Sequence, residues 1–171
     1  MLIDKNASAN QLNPTKLEAD GMVYINTNQW FLAYSAFAYL HQNTKEKSVA
    51  LLYNMALCHR SANEYTKAIA MLGEAQMKIA TPSSAQHVNN HLPDNLLTDE
   101  YENGFYRLAL NETMVLLNTN LVKLRIRRVL VDINLKLENW QEVIRLAALP
   151  EMDRCKNVIE ALTTAKSKTN T

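Results

Sequence analysis

Residues 49–79 read VALLYNMALCHRSANEYTKAIAMLGEAQMKI, and this stretch narrows the folds open to the chain more than any other. It divides into two helical halves hinged at Ser61, Ala62 and Asn63. Leu52, Met55 and His59 recur at intervals of three and four in the first half, and Tyr65, Ala68, Leu72 and Ala75 do so in the second. Each half therefore presents one face to a neighbour. Ala56 and Ala68 are small, which lets two antiparallel helices approach to the short end of the usual interaxial range of roughly 8 to 10 Å. Asn63 is a good N-cap, and Glu64 puts negative charge in the first turn of the second helix, where the macrodipole favours it. The expectation is a helical hairpin.

The hairpin recurs. Gly21 and Ala56, Trp30 and Tyr65, and Ala33 and Ala68 each stand 35 residues apart, so the pattern predicts an earlier hairpin near 14–42, opened by the cap-and-proline pair Asn13-Pro14. A more divergent unit is expected near 119–149, with Trp140, Val143 and Ala147 in its second helix. There Val131 replaces the small residue, Arg127 stands where an apolar one is usual, and Pro150 ends the helix early. Its offset from the second unit, Ala68 to Val143, is 75 residues.

The spacing Leu52-x2-Met55-Ala56-x2-His59, followed by Tyr65-x2-Ala68-x3-Leu72-x2-Ala75, resembles the tetratricopeptide (TPR) repeat. That resemblance implies an all-α, right-handed stack of antiparallel helix hairpins, a TPR-like α-solenoid closed by a C-terminal capping helix expected at 151–166. The repeat units would lie near 14–42, 45–79 and 119–149. Residues 80–118 interrupt them, and the helical domain as a whole spans 14–166. Residues 1–13 read as a flexible N-terminal arm and 167–171 as a tail. Within the interruption, Thr81-Pro82 and Pro93 point to loop as far as residue 97, and a helix is expected from Thr98 through Tyr101, Gly104 and Leu108.

Composition trims the function classes. Three glycines and four prolines in 171 residues leave long helices as the simplest arrangement, and a formal net charge of +1 argues against a chain that grips nucleic acid by bulk electrostatics. Cys58 and Cys155 read as unpaired thiols in a reducing, cytoplasmic setting. No apolar run has the length of a signal peptide or a membrane span. Glycine-rich phosphate loops, H-E-x-x-H and G-x-S-x-G are missing from the sequence, so no enzyme activity, cofactor or metal is expected. His87-x3-His91 has metal-ligand spacing but no third ligand. Cys58 and His59 are neighbours, yet adjacent helical residues diverge by about 100°, so His59 reads as packing. Trp30 and Trp140, at repeat positions, read as core.

The resemblance implies a partner site on the concave face: Met22 and Asn26 from the first hairpin, Tyr53, Asn54, Leu57 and Arg60 from the second, and Arg125, Arg128, Asp132 and Lys136 from the third. The partner implied is another protein, offering a peptide or a helix. Asn54 matches an asparagine of the carboxylate-clamp members that hold chaperone tails, whereas Glu18 and Met22 depart from that subgroup. Two other roles stand beside the adaptor: a small secretion-chaperone-like TPR protein, and a nucleic-acid-associated regulator using the basic helix 123–136. Short arrays leave apolar end faces, through which a homo-oligomer can form. Residues 87–104 carry Asp94, Asp99, Glu100 and Glu102 without a Lys or Arg, which suggests a loop folding over Arg125 and Arg128 and competing with an acidic ligand.

Overall fold

Asn13 starts the chain's first helix as its sequence requires: its side-chain oxygen accepts from the backbone N–H of Thr15 at 3.0 Å and of Lys16 at 3.2 Å, with Pro14 in the first helical position. The computed structural model describes residues 12–80 and 91–169. In chain order they form α1 (Pro14–Asn26), α2 (Trp30–Asn43), α3 (Val49–Ser61) and α4 (Tyr65–Ala80). After residues 81–90 come α5 (Asp94–Glu102), a 3-10 turn (Gly104–Arg107) and α6 (Glu112–Leu117). The chain closes with α7 (Thr119–Lys136), α8 (Trp140–Ala147), a second 3-10 turn (Met152–Arg154) and α9 (Lys156–Thr169). Among the described residues the architecture is all-helical, and neighbouring helices pack on one another: α1 on α2, α2 on α3, α3 on α4, α4 on α7, α7 on α8, and α9 on both α7 and α8. No helix among them is long and apolar enough to cross a membrane.

The turns α1–α2, α3–α4 and α7–α8 share one geometry. Asn28, Asn63 and Glu138 are left-handed, with φ of 58°, 59° and 55°. In each turn the next residue's N–H reaches back five positions: Gln29 to Tyr24, Glu64 to His59 and Asn139 to Asn134. These bonds satisfy carbonyls that a helix end leaves without partners. The left-handed residues fall at the same 35- and 75-residue offsets as the sequence pattern.

Close packing follows from the small residues. Ala33, Ala56, Ala68 and Ala75 are fully buried. A Cβ on Gly21 would stand 2.8 Å from the ring of Phe37, so glycine is what lets α1 seat against α2. Every residue of α3 from Val49 to His59 is buried, as is most of α7. Apolar residues on two sides of α7, Val122, Ile126 and Val129 on one and Leu124 and Val131 on the other, account for its packing on α4, α8 and α9.

The region between α4 and α7 differs from the sequence expectation. Pro93, with φ fixed at −55°, precedes α5, which therefore begins at Asp94 rather than Thr98. The helix stops at Glu102 because Asn103 is extended, and Leu108 is extended as well, so only the 3-10 turn Gly104–Arg107, and no continuous α-helix, leads from Thr98 to Leu108. His87 and the Thr81-Pro82 loop lie outside the described residues, and His91 sits in a non-helical stretch. The final helix begins at Lys156 and not at 151, because Glu151 is left-handed (φ 67°) and Cys155 extended; it continues to Thr169.

Candidate functional site: the face of α1, α3 and α7

Met22, Leu57 and Asp132 occupy equivalent positions at the 35- and 75-residue offsets, as do Asn26, Ser61 and Lys136. The fold brings most of the ten residues read from the sequence as a partner site onto one face, and that face is covered. Residues 100–111 run across it, and six of the ten bind them.

The grip begins with charge. Arg125 of α7 makes a two-pronged ion pair with Glu100, Nε to Oε2 at 3.0 Å and Nη2 to Oε1. Such forked pairing satisfies a buried guanidinium, and only 6% of Arg125 is exposed. Arg128, 1% exposed, donates to the backbone carbonyls of Glu100 and Asn103 and, through Nε, to Asn157 of α9 at 2.7 Å. Its guanidinium lies 4.0 Å from the ring centroid of Tyr106. Burial pulls its pKa down from the ordinary arginine value.

Asp132 is the hub. It accepts from the Tyr106 hydroxyl at 2.7 Å, from Arg107 at 2.8 Å and from Arg60 of α3 at 3.2 Å through one oxygen, and from Asn157 at 2.8 Å through the other. Arg128 and Asp132, four residues apart and candidates for a direct pair, are instead linked through Asn157. Burial, and then the Asp132 carboxylate, push the Tyr106 phenol above its ordinary range, so it stays a donor.

Further along, the contacts go to backbone. Tyr53 donates its hydroxyl to the Tyr106 carbonyl. Asn54 holds Leu110 from both sides, donating Nδ2–H to its carbonyl and accepting its N–H through Oδ1, each at 2.8 Å. Asn26 accepts the Ala109 N–H at 2.9 Å. At the far end Glu112 caps α3, accepting the Ala50 N–H at 2.7 Å beside the Ser48 cap. Burial and the nearby Glu112 raise the pKa of Glu18 on α1.

The remaining site residues sit differently. Leu57 is fully buried and Met22 packs on the core half-buried. Lys136 is exposed. Of the basic cluster on α7, Arg125 and Arg128 are committed inside the protein, which leaves Lys123, Arg127 and Lys136 on its outer parts. Tyr106 and Asn157 were not legible as site residues, since neither sits at a repeat position. The acidic run 87–104 was the signal that pointed to Glu100.

Two neighbouring features complete the surface. His59 is buried, with Nδ1 2.6 Å from Glu64 and its ring edge-on to Tyr34, which agrees with a packing role. Trp30, half-buried rather than core, lines a groove of about 460 Å³ with Phe31, Tyr34, Cys58, Ala62 and Glu64. Among the described residues no three His, Cys, Asp or Glu side chains gather as a metal site. Comparison with protein-family models, curated proteins and solved structures finds no match.

Proposed function

We propose that the chain is a non-catalytic protein-interaction module, a TPR-like stack of helix hairpins whose concave face, made by α1, α3 and α7, binds an extended peptide of another protein. The observation that carries this reading is the Asn26–Asn54 pair. Together these side chains hold the N–H of Ala109 and both the N–H and C=O of Leu110 in a stretch that is neither helix nor strand. Recognition through main-chain groups gives affinity for extended polypeptide, while the neighbouring side-chain positions set which sequence fits.

Selection of displayed peptides on the purified chain tests the reading, run in parallel on wild type and on Leu110→Ser, in which the covering segment is loosened. Enriched peptides whose affinity falls severalfold on Asn26→Ala support it. Failure to enrich any sequence on either protein, or enrichment indifferent to Asn26→Ala, counts against it.

A further inference from the structure

Residues 100–111 lie on the protein as a bound peptide would. The strip has an inner and an outer side. Tyr106, Ala109 and Leu110 point inward and are buried, while Phe105, Arg107, Leu108 and Asn111 are exposed. From Leu108 onward its backbone makes no helix of its own, and side chains from α1 and α3 stand in for the missing partners. Four of its side chains meet the face: Glu100 in the fork of Arg125, Tyr106 between Arg128 and Asp132, the half-exposed Arg107 paired with Asp132, and Leu110, with none of its surface exposed. Apart from these, the direct hydrogen bonds from the face go to carbonyls and amides, which any residue offers.

We propose that this segment is a built-in occupant of the partner site, and that the partner is a peptide of the same chemistry and conformation, a helical turn and a 3-10 turn running into extended chain: an acidic residue, a tyrosine six positions later and an aliphatic residue four beyond that. The inference rests on the peptide-binding reading above and adds the ligand class and its competitor to it. The acidic position answers Arg125, the phenol reaches Asp132 while its ring stacks on Arg128, and the aliphatic side chain fills the place of Leu110. The competing acidic element is thereby 100–111, displaced towards the C-terminus from the loop that charge patterning alone suggested. A partner peptide binds only molecules in which the strip has left the face, so its apparent dissociation constant is the intrinsic one divided by the open fraction. Loosening the strip without touching α1, α3 or α7 tightens binding.

The test uses a fluorescein-labelled synthetic peptide of residues 99–112 and the full chain, read by anisotropy. Against Tyr106→Ser/Leu110→Ser, with its helical content verified by circular dichroism, the peptide binds at least tenfold tighter than to wild type. A peptide with Ser at the positions of Tyr106 and Leu110 binds at least tenfold more weakly than the native one. Should the double variant not fold, Tyr106→Phe, which removes only the hydroxyl bond to Asp132, raises affinity for the native peptide severalfold over wild type. Equal affinity of wild type and the folded variants, or equal binding of native and anchorless peptides, overturns the proposal. If peptides enriched by display bind in an Asn26-dependent way while the 99–112 peptide does not, the ligand class and competitor fail and the peptide-binding module stands. If neither binds, both fail.

Discussion

Replacing Asn54 by Ala isolates the contact between α3 and the strip. Asn54 is fully buried, and both of its hydrogen bonds, at 2.8 Å, end on the backbone of Leu110, which is also fully buried. Truncation leaves a donor and an acceptor without partners, at about 1–3 kcal/mol each, so Asn54→Ala should lower unfolding free energy by about 2–5 kcal/mol. Asn54→Asp should be worse than Ala, because one carboxylate oxygen can still accept the Leu110 N–H while the other faces the carbonyl oxygen at a fully buried position. Asn26 is exposed and makes one bond to the strip, so Asn26→Ala should cost only about 0.5–1.5 kcal/mol. Urea denaturation followed by far-UV circular dichroism ranks the three at unchanged m-value. If Asn54→Ala falls within about 0.5 kcal/mol of wild type, or Asp is milder than Ala, the two-sided grip on Leu110 is wrong.

Three further predictions concern the scaffold. Gly21→Ala should destabilise by about 1–3 kcal/mol, since its Cβ would meet the buried Phe37 ring at 2.8 Å. Gly73→Ala in α4, with nothing within 4 Å, should stabilise by about 0.5–1 kcal/mol, and melting temperatures give the two signs. Glu138 holds φ at 55°, where a glycine is unstrained, so Glu138→Gly should raise stability by about 0.5–1 kcal/mol in thermal melts. Cys58 and Cys155 are buried, and burial pushes their thiols up from 9.0 to about 12 and about 11. Neither should react with a disulfide reagent at pH 8 until the chain unfolds. Because the folded state holds these protons more tightly than the unfolded state, stability should be full below about pH 9 and fall as pH rises towards 11–12.

What the sequence made legible was local and periodic. The 35- and 75-residue offsets that relate Trp30, Tyr65 and Trp140 also relate the left-handed turn residues Asn28, Asn63 and Glu138, because turn chemistry and helix period repeat together, although Asn63, which reads as an N-cap, lies two residues before the start of α4 and is the left-handed residue of the turn instead. The candidate face was legible in the same way, since Met22, Leu57 and Asp132 are one position seen three times. Its covering was not. The link from Asn54 to Leu110 spans 56 residues and joins a side chain to backbone, which leaves no mark in the identity of Leu110. Asn157 escaped for a similar reason: it bridges Arg128 and Asp132 from a helix whose own pattern reports only its apolar side. The attraction of Glu100 to Arg125 was visible as charge complementarity, though the residues that carry it could not be fixed until the extended conformation of Asn103 ended α5.

The account turns on whether residues 100–111 lie on the face of α1, α3 and α7 in solution. Amide hydrogen exchange resolved to Ala109 and Leu110 measures this directly, because both N–H groups are held only by Asn26 and Asn54 and not by a helix of their own. Protection of Leu110 approaching that of α3, with Ala109 somewhat less protected, is the predicted result. Exchange at the rate of an open loop at both positions would contradict it.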